Sequence, residues 1–314
     1  MPRAPLYAVV ALLAAVVLPS AGAAPKGEER VLVILASTGA KPYPVADVQR
    51  TIAQANAFFQ VSSFGQVRLK VDVTPWLSAF SGNPGCGGAT NRSLEAVVAP
   101  ARLAADRAGF DPDVYDEVIY TLADSHCGFL GATFGHQVML TREPTLQLVV
   151  HELGHALGLG HAQASDCTTS PVRCGLDETG DTLSPMGTGS LDFSAYEKYI
   201  LGWIPPQPHV TAGKRYILAP PTSKSRLAQA LVVETTQGSW WLEYRSQPFQ
   251  GLVMRFVDSR VLPSPFAPSA VLMRKPTKAG RPWIVKGESY RIPYSYRVTL
   301  TKATTTRAEV RFRP

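Results

Sequence analysis

His151-Glu152-Leu153-Gly154-His155-Ala156-Leu157-Gly158-Leu159-Gly160-His161 is the stretch on which the reading of this chain turns. Residues four apart on an α-helix sit about 40° apart around its axis, so His151 and His155 project to one side and could share a tetrahedral zinc ion. Leu146, Val150, Leu153 and Leu157 fall on the opposite side, which gives the helix an apolar face and a ligand face. Pro144 suits the first turn, where its missing N–H costs nothing, and Gly158 suits the end, where a left-handed residue stops a helix. A reversal there lets His161 reach the same ion from another direction. Three neutral imidazoles with the fourth position open to water is the pattern of a catalytic zinc site, since closed structural sites use four protein ligands, often cysteines. Glu152 projects to the flank of the two helical histidines, where it could take a proton from water without ligating the metal and return it to a leaving amine.

The surroundings suggest where this helix sits. Residues 31–36 form a continuous apolar run that suits a buried strand, and residues 44–59 carry apolar positions at helical spacing. Residues 66–76 alternate like a strand. A second helix is expected over 93–108, where Leu94, Val97, Val98, Ala101 and Ala105 recur at three- and four-residue intervals before Gly109. Residues 114–122 and 132–140 read as two more strands, the second placed just before the zinc helix as a candidate edge for substrate. After Ile204 the texture changes. Pro205, Pro206 and Pro208 form a stiff linker, and short apolar or alternating runs separated by turn residues follow. The expected architecture is a mixed-sheet α/β (α+β) unit over 24–205 and an all-β sandwich over 206–314.

The eleven quoted residues match the zinc consensus of the metzincin peptidases, which also have a methionine turn beneath the metal, and Met186 in Ser184-Pro185-Met186-Gly187 looks like that turn. The closest likeness is to the gametolysin-like and immune-inhibitor-type secreted peptidases. It is carried by Asn56-Ala57-Phe58-Phe59-Gln60-Val61-Ser62-Ser63-Phe64-Gly65-Gln66, by Val71-Asp72-Val73-Thr74-Pro75-Trp76, and by Phe193-Ser194-Ala195-Tyr196-Glu197-Lys198-Tyr199-Ile200-Leu201-Gly202-Trp203. The resemblance implies a metzincin-like catalytic domain and a secreted zinc endopeptidase in which Met186 is a packed floor, not a ligand. A secreted zinc-binding adhesion protein with an inactive site is the alternative. The chain departs from astacin-like and serralysin-like enzymes at Thr188, where they place a tyrosine, and there is no room between 24 and 31 for a long propeptide. His136 reads as a solvated edge histidine in preference to a fourth ligand or substrate contact. Asp177, Glu178 and Asp181 could offer carboxylates to calcium, but their spacing matches no calcium loop and a polar surface loop is the better reading.

Composition bounds the setting. The chain has 314 residues, 45% hydrophobic content and a formal net charge of +7. Residues 1–23 read as a signal peptide: Arg3, an apolar run over 6–18 too short for the roughly 20 residues of a membrane span, and Ala21-Gly22-Ala23 as a small-residue cleavage site. Export, an extracellular location and no transmembrane segment after cleavage are therefore expected. Residues 24–205 carry 12 Lys or Arg against 19 Asp or Glu, whereas residues 206–314 carry 18 against 5. The basic half fits an anionic surface polymer, and no nucleic-acid recognition motif accompanies it. Cys86, Cys127, Cys167 and Cys174 are an even number with no C-x-x-C spacing, which favours disulfides over a zinc-cysteine site, with free buried thiols as the alternative. Three pairings are conceivable; the short loop favours Cys167 with Cys174, leaving Cys86 with Cys127. Thiol titration of the denatured, unreduced protein should find no reactive thiol. Four reactive thiols would overturn the exported reading.

Overall fold

The apolar run over 31–36 lies inside strand β1 (Gly27–Ser37), and all six of its residues are fully buried. The computed structural model describes residues 26–85, 91–123, 125, 127–166, 176–258, 270–273 and 280–314; the expected signal segment 1–23 lies outside them. In chain order β1 is followed by α1 (Val45–Ser62), β2 (Val67–Val73), β3 (Leu77–Ser78), α2 (Asn91–Arg107), β4 (Glu117–Leu122), β5 (Gly131–Phe134), β6 (Gln137–Leu140) and α3 (Leu146–Ala156). Then come β7 (Gln163–Ser165), β8 (Leu176–Asp177), α4 (Ala195–Ile200), β9 (Arg215–Leu218), β10 (Ala230–Thr235), β11 (Gly238–Arg245) and β12 (Gly251–Asp258). The last strands are β13 (Val271–Met273), β14 (Trp283–Ile284), β15 (Ser289–Arg291), β16 (Arg297–Ala303) and β17 (Ala308–Arg313). The fold is mixed α/β, and no described helix is long and apolar enough to cross a membrane.

The first sheet has the order β2-β1-β4-β6-β5, with β3 also on β1. Its pairings are parallel except for β5, which lies antiparallel to β6. A parallel strand between two neighbours must be apolar on both faces because helices cover both. Val31, Val33 and Leu35 accordingly join a core with α1 and α3, while Leu32, Ile34 and Ala36 join a separate core with α2. The region expected as one strand over 132–140 is instead a hairpin. Gly135, with φ of 61°, and His136 form the turn between β5 and β6, because a left-handed glycine inside an alternating run ends the strand. The reversal puts β5, not β6, at the sheet edge.

The β-rich half forms two sheets. One has the order β10-β11-β12-β13-β7-β8, with β14 also on β12, and the other has the order β15-β16-β17-β9. Trp240, Leu242, Tyr244, Leu252, Met254 and Phe256 of the first share a core with Val298, Leu300, Val310 and Phe312 of the second. The first sheet also continues past the expected boundary at 205, since β13 pairs in parallel with β7, whose residues directly follow the histidine motif. Its other face is buried too: Ala195 and Tyr196 of α4 pack on Val232 and Trp241, and Leu183 packs with Val253 and Leu272.

Period two then places Glu243, Arg245 and Arg255 on this second face, where they are almost wholly buried. Arg245 Nε donates to Glu243 Oε1 at 2.7 Å, and Glu243 Oε2 accepts the Ala195 N–H at 2.6 Å. Arg255 Nε donates to Asp181 Oδ2 at 2.8 Å; its Nη1 lies 2.8 Å from Glu243 Oε1 as an ion pair without hydrogen-bond alignment. Burial works against the charged form of Glu243, but Arg245 and Arg255 prevail and hold its pKa down at about 2. Asp181 is therefore no part of a polar surface loop: its side chain is fully buried and committed. Replacing Arg255 by Met should strand the Asp181 carboxylate, at a cost of about 3–5 kcal/mol. Chemical unfolding of the variant checks this, and a loss below about 1 kcal/mol, the scale of a surface pair, would show that the cluster does not hold the two halves together.

Candidate metal centre

Helix α3 begins at Leu146, two residues after the proline expected to open it. Thr145 is the N-cap, its hydroxyl accepting the Leu148 N–H at 3.3 Å, so Pro144 lies outside the helix. At the other end Gly158 has φ of 97°, its N–H donates to the His155 carbonyl at 2.9 Å, and the Leu159 N–H donates to the Gly154 carbonyl at 2.9 Å. This pair of bonds is a Schellman stop, which only a residue free of a Cβ adopts without strain. Val149, Val150 and Leu153 are the large apolar residues α3 buries, with Leu157 packed beside them; Leu146, expected on that face, is 38% exposed in the first turn.

The reversal delivers His161 to its two predecessors, and one nitrogen from each of His151, His155 and His161 lies within 4.8 Å of the others. Each ring is held from behind. His151 Nδ1 lies 2.8 Å from the Pro185 carbonyl, His155 Nδ1 lies 2.8 Å from the Leu159 carbonyl, and His161 Nδ1 lies 3.0 Å from Glu178 Oε1. A carbonyl only accepts, so the first two histidines carry their proton on Nδ1 and present a bare lone pair at Nε2. Those two Nε2 atoms face each other at 3.1 Å. Two lone pairs at that distance repel unless a cation lies between them, and zinc–nitrogen bonds of about 2.0–2.1 Å in a tetrahedron call for a separation near 3.3 Å. The donor set thus fits a zinc ion. Burial lowers the pKa of His151, and burial lowers that of His155 to about 4, so both rings are neutral at physiological pH, as ligands must be.

Glu152 is 4% exposed, and burial pushes its carboxyl up to about 7, against the Thr133 hydrogen bond that favours the ionised form. The Thr133 hydroxyl on β5 lies 2.7 Å from Glu152 Oε2 and 3.0 Å from the Glu152 carbonyl. A Cβ on Gly131 would come within 2.5 Å of Glu152 Oε1, so the edge strand must be bare there. Cavities of about 390 Å³, lined by His155, His161, Gln163 and Glu178, and about 480 Å³, lined by Leu130, Thr145, His151 and Thr188, meet at Glu152.

Met186 is fully buried beneath the helix, where a Cβ on Gly154 would lie 2.3 Å from its sulfur. Its carbonyl accepts the Ala162 N–H at 2.8 Å, next to His161. The turn itself is wound around Asp181, whose Oδ1 accepts the Leu183 and Ser184 N–H groups and whose carbonyl accepts those of Thr188 and Gly189. The sequence assigned none of this to Thr133, Gly131, Glu178 or Asp181; the glycine at 154 inside a helix was the one visible signal that something comes close. His136 stands away from the three rings, in the hairpin turn 3.0 Å from Glu117. Asp177, Glu178 and Asp181 do not converge on a common point. Cys127 is disulfide-bonded, while Cys86, Cys167 and Cys174, and so the pairing, lie outside the described residues.

No family model and no curated protein matches the chain. Among solved structures 62 chains match. One, described as a chaperone-substrate complex, is similar over 65% of this chain at 14% identity with a TM-score of 0.37. The chain spans about a third of that structure's length, 31%, and so loose a likeness carries no functional weight.

On an exposed helix Gly→Ala stabilises by up to about 1 kcal/mol. At Gly154 the contact with Met186 reverses the sign: Gly154→Ala should lose roughly 1–3 kcal/mol through overpacking. A thermal midpoint at or above that of the unaltered protein would show that Met186 is not packed under α3.

Proposed function

We propose that the protein is a secreted zinc-dependent endopeptidase of the metzincin type, with His151, His155 and His161 as ligands and Glu152 as the proton shuttle. The observation that carries the reading is the pair of bare Nε2 atoms on half-buried rings, completed by His161 beside a buried carboxyl. A zinc ion held there supplies a Lewis acid that acidifies water and polarises the scissile carbonyl. Glu152 accepts the proton of the attacking water and passes it to the leaving amine. A pKa near neutrality suits both halves of that task, because the group must take and give the proton at one pH. Thr133 holds Oε2, which leaves Oε1 to carry the proton.

Substrate orientation follows from β5. One edge of that strand is bonded to β6, while Gly131 and Thr133 lie against Glu152. An extended peptide adding to the open edge places its main chain along the three rings. Export fits the apolar segment over 6–18 and the disulfide at Cys127.

Digestion of an unfolded protein mixture, with sequencing of the cut sites, tests the reading. Cleavage should stop with a chelator. Glu152→Gln should keep zinc and lose about 10²–10⁴ in rate, whereas His155→Ala should lose zinc and activity together. Chelator-resistant cleavage, or near-normal rates in Glu152→Gln, would sink the mechanism. Full zinc content with no cleavage by the unaltered chain would favour a zinc-binding adhesion protein instead.

A further inference from the structure

The basic half of the chain does not spread its charge evenly. In the sheet β15-β16-β17-β9 the residues facing the shared core are Tyr290, Val298, Leu300, Val310, Phe312 and Leu218. Alternation therefore sends Arg291, Arg297, Arg311, Arg313 and Arg215 to the outer face. Register then brings them side by side: Arg291 is opposite Arg297, Arg297 is opposite Arg313, and Arg311 is opposite Arg215. Glu309 is the sole acid on this face among the described residues, and it is already shared by Arg215 at 3.7 Å and Lys302 at 3.1 Å. The other four arginines make no ion pair among the described residues.

Like charges directly opposite on neighbouring strands destabilise a sheet. Three such pairs in one patch are a cost to folding that a bound polyanion removes. We propose that this face binds a linear polysaccharide bearing sulfate or phosphate groups, held by Arg215, Arg291, Arg297, Arg311 and Arg313. Strands lie about 4.8 Å apart, so the arginines form a flat band of guanidinium forks, each able to take a sulfate or phosphate oxygen pair. Between them stand Ser289 and Thr299, whose hydroxyls bond each other at 2.7 Å and keep lone pairs that can accept from sugar hydroxyls. The outward positions of the four strands carry no aromatic side chain on which nucleotide bases could stack, the exposed Tyr294 lying in the turn between β15 and β16, and Ile217 is their one apolar member, too little for insertion into a lipid surface. The face also lies on the far side of the shared core from the sheet that carries α4 and the methionine turn, so an occupied face leaves the cleft open. The assignment holds whether or not the cleft hydrolyses peptides.

The test uses the intact mature chain on immobilised heparin, with phosphatidylserine vesicles and single-stranded DNA as comparators. Retention on heparin is expected, with a slope of log affinity against log salt that falls by roughly 2–3 in Arg297→Ser/Arg311→Ser/Arg313→Ser. The matched variant Arg68→Ser/Lys224→Ser/Arg226→Ser, with exposed positions outside this sheet, should keep the original slope. Hydrogen exchange of the unaltered chain with heparin should protect β16 and β17, which reads the same face without any substitution. Equal loss in both triple variants, protection elsewhere, no retention at low salt, or tighter binding to vesicles or DNA than to heparin each overturns the proposal.

Discussion

Two histidines on one helical turn can face a common point unaided; the third cannot, and bringing it there is the constraint around which this chain is arranged. His161 must return toward α3 within six residues of His155. Gly158 makes the reversal possible, but a reversal alone leaves a loose end. What fixes it is the backbone contact between 162 and the methionine turn, in which the Ala162 N–H donates to the Met186 carbonyl and the Asp181 N–H to the Ala162 carbonyl. The same turn supplies the Pro185 carbonyl that sets the tautomer of His151. One loop therefore positions two of the three rings, and its own geometry hangs on Asp181.

That dependence explains the buried charges in the β-rich half. A carboxylate placed to accept two N–H groups in a turn needs a counter-ion if it is also excluded from water. Arg255 reaches it from β12, and Glu243 and Arg245 on β11 balance Arg255 in turn. Glu197 ties the cluster to α4, accepting the Ser184 hydroxyl at 2.6 Å and the Ser194 N–H at 2.6 Å. The second half of the chain is thus joined to the histidine cluster through four ion-paired side chains and a shared sheet, as well as through the proline linker at 205–208. Truncation at that linker removes the counter-ion of the turn that holds the histidines.

Legibility in the sequence followed the range of the interaction. The helix that carries His151 and His155, the doubly buried β1 and the stop at Gly158 were readable because each depends on residues within one or two turns. The hairpin at Gly135-His136 was missed since alternation runs through both its strands and a single glycine is its only mark. Strand β7 was missed because three residues carry no period; it exists through β13, more than a hundred positions away. Buried Glu243, Arg245 and Arg255 read locally as the polar side of half-exposed strands, and only a second layer on that side makes them interior. Asp181 was misjudged for the same reason.

The two faces of the β-rich half are consequently opposite uses of one residue type. On the inner sheet an arginine is surrounded by carboxylates and stripped of water, which fixes its geometry and makes its loss expensive. On the outer sheet arginines face one another across hydrogen-bonded strands with a single shared glutamate, hydrated and unsatisfied. Net charge alone could not separate these cases, since both contribute to the same basic total. The period of two does so: within β12 and within β17, the parity of a position decides whether its charge is a structural anchor or an open valence toward a partner.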